Sequence, residues 1–528
     1  PYLVVPVKTE RQTGFLFPEL SNSSRDGFGF NLPFFWNISQ SMDLTLYAEY
    51  FADRGFMPGL EFRYLLSDEN KGKLNASYLD DDLSDPDEVN YRTDTGFTHT
   101  NTDRYWVRGK ADQNFGNNWI SRLDIDLVSD QDYLDEFTSG VTGFNDSQKS
   151  YLKTFGRGFE NQDDEERQNS FKVLKTWDGS SLNIDLVAID DVREVELSPT
   201  PLWKLPSVEY TGALPVYESP LTFEWDTDYI YYYREEGVGG HRLDLFPRIS
   251  APVPVGPYLE SRAEVGGRGT LYSVDTFGDG AFDGDETPSR FLFTFNTDIA
   301  TNLIRDYSFK QEGSSFLRHA VRPFVEYEYI SNDDQDDLPD LDSVDRIEEA
   351  STITYGVDSF LNLFDDGNTR LRQYGYLRIN QSYDLLSDSE EDFSPIDLKI
   401  GWTPLPRLWF IYKADIPIES EDNTTHGLEG FFSNSRGDVF TAEYRYNEDE
   451  DIEQINGSIK SRILPKIEAE LKIEYSIAEE ETNEGIAALT YLAQCWSVQL
   501  KGKYTPTDER IMVLFNLANI GTPLSISY

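Results

Sequence analysis

The side chains that perform chemistry in proteins are sparse here and badly spaced for it. The four histidines of this 528-residue chain, His99, His241, His319 and His426, stand far apart in sequence. None sits in a nucleophile motif of the kind in which a serine, a base and an orienting acid converge. No glycine-rich phosphate loop with a following lysine occurs, so any ATP-derived energy must come from elsewhere. The chain is not expected to be an enzyme or to carry a cofactor.

Two constellations merit weighing. Asp275, Asp279, Asp283, Asp285 and Glu286 alternate with Gly278, Gly280 and Gly284, an oxygen-rich stretch of the sort that holds calcium. Its spacing departs from the EF-hand order, and a plain acidic loop is the simpler expectation. The single cysteine, Cys495, has no partner within the chain; it either serves as a small hydrophobe or bridges to a segment outside this sequence.

Ninety-five acidic against 46 basic residues give a net charge of -49, which argues against nucleic acid as a partner. The acid gathers in breaks such as Asp80–Asp87, Asn332–Asp345, Ser387–Asp392, Asn447–Glu453 and Glu479–Glu484. Such runs read as solvated loops. A sharper alternative is that their carboxylates share divalent cations with anionic lipid head groups.

Between these breaks the chain alternates with a period of two. Ile467, Ala469, Leu471, Ile473, Tyr475 and Ile477 share one face, against Glu468, Glu470, Lys472, Glu474 and Ser476 on the other. Leu44, Leu46, Ala48 and Tyr50 oppose Asp43, Thr45, Tyr47 and Glu49 in the same way, and Val325, Tyr327 and Tyr329 oppose Glu326 and Glu328. A strand with one greasy and one charged face suits a wall between lipid and water. No apolar run approaches the roughly 18 residues of a spanning helix. The fold class expected is all-β: a large antiparallel transmembrane barrel occupying residues 1–528. At roughly 20 residues per strand and connection, the wall has about 26 strands. A soluble propeller or β-helix also has many short strands, but no fixed repeat recurs. A barrel this wide encloses a lumen its wall side chains cannot fill. Nothing in the sequence reads as a separate plug, so either another polypeptide fills the bore or the pore stands open. The chain begins at Pro1 without a methionine or an apolar leader, which reads as the removal of an export signal.

The stretch from Pro1 to Pro18, Leu32-Pro-Phe-Phe-Trp-Asn-Ile38, Arg54-Gly-Phe and Glu61-Phe-Arg-Tyr-Leu65 resemble the start of the barrel in the LPS-assembly protein LptD family. Later blocks agree: Arg242-Leu-Asp-Leu-Phe-Pro-Arg-Ile249, Leu317 to Tyr327, Asp345-Arg-Ile347 and Gln494-Cys-Trp496. The resemblance implies a Gram-negative outer-membrane translocon that inserts lipopolysaccharide into the outer leaflet. It also implies a plug lipoprotein, LptE, inside the barrel. A periplasmic jellyroll, absent from this sequence, would receive lipopolysaccharide from the periplasmic transport bridge. The family often carries adjacent cysteines near the carboxyl end that bridge to the jellyroll; here Cys495 precedes Trp496, so one interdomain disulfide or none is expected.

Lipopolysaccharide has acyl chains that belong in the bilayer and sugars that belong in water, and a closed hydrogen-bonded wall blocks its sideways exit. The natural seam lies between the first and last strands, the one closure no hairpin reinforces. Pro6 and Pro18 are expected in the first two strand segments, where each removes a ladder donor. They are either rim punctuation or, as the resemblance implies, part of a lateral gate. The opposing edge is expected at 510–518, with Ile511, Val513, Phe515 and Leu517 facing outward; the tail Leu524–Tyr528 competes with it but follows Pro523. The rival function is a diffusion porin, which needs neither seam nor plug. Inward cations such as Arg63, Arg445 and Lys472 are expected to offset the acid along the bore.

Overall fold

A computed structural model describes residues 11–82, 102–140, 142–193, 199–308, 316–365, 368–386, 392–418, 424–494, 496–506 and 508–517. Period-two segments become strands that each pair antiparallel with their chain neighbours. Two strands are interrupted. Gly14–Phe15 and Glu19–Ser23 both pair with Gly27–Ser39, and Ser289–Ala300 and Leu303–Ser308 both pair with Phe316–Ile330. Joining these halves gives a closed wall of 26 strands, as the length predicts. Closure comes where Glu19–Ser23 meets Asp508–Leu517.

The connections alternate in length. At one rim the strands turn in as few as two residues. Asn117 and Asn118 both adopt positive φ between Gly116 and Trp119, and Gly179 does so after Asp178, the backbone that two-residue hairpins require. At the other rim lie the long connections, including 129–165 and 331–349. Outer-membrane barrels carry short turns on the periplasmic side and long loops outside. The described chain begins and ends at the short-turn rim.

Burial is inverted relative to a soluble protein. Leu471, Ile473, Leu46 and Tyr50 lie exposed on the outer wall, whereas Asp43, Thr45, Glu49, Glu61 and Arg63 are buried facing the bore. Leaving so much apolar side chain in contact with water is unfavourable, and a hydrocarbon surround removes that cost.

The chain fills part of its own bore. The connection 129–165 folds inward with helices Tyr133–Glu136 and Phe144–Phe155. The second helix ends at Gly156, whose positive φ lets its N–H reach the Leu152 carbonyl. Tyr133, Leu134, Phe137 and Phe144 pack with Phe51, Met57, Leu79, Trp106 and Val128 from the wall. Arg108 stacks over Trp106 at 3.8 Å and donates to Ser147 Oγ at 3.0 Å. The connection 331–349 also turns inward: Asp345 accepts from Arg242 at 2.9 Å and from the Tyr272 hydroxyl at 2.8 Å, and its carbonyl accepts from Arg290 at 3.2 Å. This corrects two expectations. Part of the plug is the chain's own, and the Asn332–Asp345 run is not wholly solvated, because buried arginines on the wall need those carboxylates.

Candidate functional site

The seam between the first and last strands is built unevenly. Leu20, Ser21, Asn22 and Ser23 pair with Val513, Met512, Ile511 and Arg510. The adjoining hairpin, by contrast, pairs the whole of Trp496–Thr505 with Asp508–Leu517. Among the described residues, seam pairing stops below Leu20, towards the short-turn rim. There Gly14–Phe15 pairs with Phe34 and Phe35 of the second strand.

The cause lies in the first strand. Its register against the second strand slips by one residue between Phe15, opposite Phe34, and Glu19, opposite Asn31. The extra residue makes a bulge over Leu16–Pro18. Bulges concentrate at sheet edges and end pairing there, and Pro18 supplies no amide hydrogen to continue it. Across the unpaired stretch Phe17 stacks on Phe515 at 5.7 Å, a contact that can part without breaking a backbone hydrogen bond.

Alternation on the last strand places Ile511 on the outer wall and Arg510 and Met512 inside, buried. Val513 and Phe515 share the outward register, and Leu517 pairs with Trp496. Pro6 and Cys495 lie outside the described residues.

The long-loop end of the seam is fastened differently. Ser23 donates to Asp508 at 2.6 Å, the Ser24 N–H donates to the Glu509 carbonyl at 3.1 Å, and Arg510 ion-pairs with Asp26. Arg54 joins Asp26 at 3.1 Å to Asp81 at 2.8 Å and to Glu136, and Arg104 joins Glu136 at 2.6 Å to Asp130 at 2.7 Å. Sequence reasoning missed this cluster, since its members lie in separate connections and strand ends. The available signal was a set of arginines, Arg25, Arg54, Arg104 and Arg510, each beside a break in the alternation.

Other candidates are dispersed. Asp275 lies within strand Glu260–Phe277, while Asp279, Asp283 and Asp285 lie in the loop beyond it. Among the described residues no three His, Cys, Asp or Glu side chains form a metal-holding group, so these carboxylates are not gathered into a calcium cage. Asp275 is held back by its ladder partner, Gly239. Of the histidines, His99 lies outside the described residues, His241 stacks on Tyr231 at 4.5 Å, and His426 stacks on Tyr446 at 4.9 Å. His319 Nε2 and Ser359 Oγ lie 2.9 Å apart in mid-strand, not on the strained turn that presents a nucleophile. Arg63 pairs with Asp43 at 2.7 Å, Arg445 with Glu443 at 3.4 Å and Lys472 with Glu484 at 2.8 Å, so these bore-facing cations offset nearby acid as the alternation suggests.

A closed antiparallel wall with lipid-facing apolar residues, long loops at one rim and a polar bore defines the class: a large outer-membrane β-barrel. Family comparisons narrow this. Residues 102–480 match the family described as "LptD: LPS transport system D", and residues 1–169 match "LptD protein". The chain belongs to the LptD family. It is 25% identical over 553 residues to the LPS-assembly protein LptD of Nitrosococcus oceani, covering 99% of this chain and 69% of that one. It is 27% identical over 567 residues to that of Nitrosomonas eutropha, covering 99% and 71%. Likeness to solved structures is loose. The siderophore receptor PirA of Pseudomonas aeruginosa gives a TM-score of 0.31 at 7% identity, covering 96% of this chain and 81% of that one.

Proposed function

We propose that the chain delivers lipopolysaccharide to the outer leaflet of the Gram-negative outer membrane, sugars passing through the bore and lipid A leaving sideways at the seam. Membership of the LptD family supports the substrate and the location. The observation that carries the route is the seam itself, which pairs over Leu20–Ser23 and not over the bulge at Leu16–Pro18. In an antiparallel ladder each residue pair contributes about one hydrogen bond on average, worth roughly 0.5–1.5 kcal/mol net. Four paired residues therefore resist opening by about 2–6 kcal/mol, within reach of thermal opening. The ten-residue ladder beside them resists by about 5–15 kcal/mol. The wall thus parts at the seam first. Pro18 and the bulge keep it unzipped over Leu16–Pro18, and Ile511, Val513 and Phe515 form the lipid-side edge, to which Leu517 is also assigned. Pro6 is assigned the same role as Pro18.

The plug lipoprotein LptE is assigned to the wall opposite the two inward loops. Over residues 408–476 the bore-facing pairs Lys413–Glu429 and Arg445–Glu443 remain largely exposed, a charged face suited to a partner. Cys495 is assigned a bridge to the periplasmic jellyroll.

The decisive experiment pairs cysteines at Ser21 and Met512, which face each other across the seam, in a Cys495→Ser background. Oxidation should stop delivery of lipopolysaccharide to the cell surface, and reduction should restore it. A control pair at Ser181 and Thr211, whose hydroxyls lie 3.0 Å apart on neighbouring strands, should leave delivery intact. Normal delivery with the seam bond fully formed refutes the lateral route. Large ion conductance with no lipoprotein partner bound would favour the porin.

A further inference from the structure

Three bore-facing side chains form a row across the first three strands of the wall. Glu19 stands opposite Asn31, and Asn31 stands opposite Glu49. Two strand spacings of about 4.8 Å put the glutamates roughly 10 Å apart at the backbone, with the amide between them. Both reach one small cavity, which Asn31 and Ser139 of the connection 129–165 also line.

That cavity is polar and unsatisfied. Asn31 is 2% exposed, yet neither its Oδ1 nor its Nδ2 has a hydrogen-bond partner, and the Ser139 hydroxyl, 6% exposed, has none either. Buried polar groups in folded proteins are almost always paired. Two unpaired side chains facing one cavity therefore mark a place for a bound species.

Charge decides what kind. Glu49, also buried, accepts from the Thr142 hydroxyl at 2.7 Å, a partner without charge. Arg510 lines the cavity, but its guanidinium ion-pairs with Asp26 and, at 3.1 Å, with Asp508. The next cations along the wall, Arg63 and Lys73, pair with Asp43 and Glu61. A water molecule would satisfy the amide and the hydroxyl but leave two like charges facing one space. A cation answers both needs.

Size and ligand type decide which cation. The cavity measures about 20 Å³, room for about one water-sized occupant, so an ion inside it takes its ligands from the protein. Carboxylate, amide and hydroxyl oxygens suit a hard ion; magnesium sheds its waters reluctantly, whereas calcium accepts a shell of about six to eight oxygens from protein groups.

We propose that Glu19, Asn31, Glu49 and Ser139 form a binding site for one calcium ion. The ion ties three strands of the wall to the connection 129–165. It also anchors Glu19, the residue beside the bulge at Leu16–Pro18, to the strands on its inner side. The site stands whether or not lipid leaves through the seam.

Calorimetric titration of calcium into the full chain, folded in detergent and freed of metal with a chelator, tests this. Salt screens the exposed loop carboxylates, so one strong site per chain is expected above a weak background. Glu19→Gln and Glu49→Gln should each weaken that site at least about tenfold, because calcium affinity follows the number of charged ligands. Asn31→Leu, which keeps both charges, should weaken it less, and Asp283→Asn in the exposed loop should leave it unchanged. Calcium should also slow hydrogen exchange at residues 19–21 and 139–140 in the parent chain and in neither glutamate variant. Heat-modifiable gel mobility reports that each barrel is folded. Absence of a strong site in the parent chain, or a strong site that both folded glutamate variants keep at full affinity, overturns the proposal. Magnesium binding as tightly as calcium overturns the choice of ion.

Discussion

Substituting Pro18 tests whether the weak half of the seam is weak by construction. In the register that pairs Leu20 with Val513, residue 19 stands opposite Leu514 and residue 18 opposite Phe515. Neither pair forms, and Pro18 has no amide hydrogen to offer. Pro18→Val restores that donor and favours extended backbone, allowing the ladder to run two residues further. Two added pairs bring about two hydrogen bonds, roughly 1–3 kcal/mol net. Since 1.4 kcal/mol is about a factor of ten, the open population should fall by about 5–150-fold. Hydrogen exchange on the purified barrel should show new protection at residues 18 and 19 and at 514–515. Pulse-labelled lipopolysaccharide should then reach the cell surface more slowly by a similar factor. New protection together with unchanged delivery would refute the reasoning, because the seam would have been strengthened without consequence.

Other outcomes follow from the inward loops. Trp106→Ala removes the wall residue on which Phe144 and Phe159 pack. It should destabilise the connection 129–165 by about 3–5 kcal/mol, read as faster protease cleavage within it. Arg242→Gln strands Asp342 and Asp345 and should expose the connection 331–349 to protease while the wall stays folded. Burial, the neighbouring Asp163 and then Asp132 raise the Asp135 carboxyl to about 7. A raised acid favours the folded loop below its unfolded pKa and loses that advantage as pH climbs through 7. The loop should therefore be more protease-resistant at pH 5 than at pH 8, and Asp135→Asn should abolish the difference. Asp342 behaves oppositely: burial opposes its charge, but hydrogen bonds from Arg242 and Tyr232 hold it at about 2. Its contribution is present above the ordinary carboxylate pKa and is lost only as pH falls through 2. Resistance of the connection 331–349 should therefore not change between pH 5 and 8.

The alternation of Leu471 and Ile473 with Lys472 and Glu474 was enough to specify strands, their faces and a membrane surround, because side chains on a strand alternate by geometry. Chain length then set the strand number, and the absence of a hairpin between the two ends made theirs the odd seam out. These are local or counting properties, and sequence carries them directly. What the sequence did not disclose was where along that seam pairing fails. That depends on a one-residue slip between Phe15 and Glu19, visible only against the second strand. Nor did it disclose that Asp26, Arg54, Asp81, Arg104, Glu136 and Arg510, scattered over nearly the whole chain, become neighbours. Closing the barrel brings residue 510 beside residue 26, and only then do charges that read singly as loop solvation acquire partners and burial. Asp345 carries the same lesson: in sequence it ends an acidic run, and in the bore it satisfies Arg242. Periodicity thus determined the wall, whereas ring closure and the inward fold of two loops decided what stands inside it and what holds it shut.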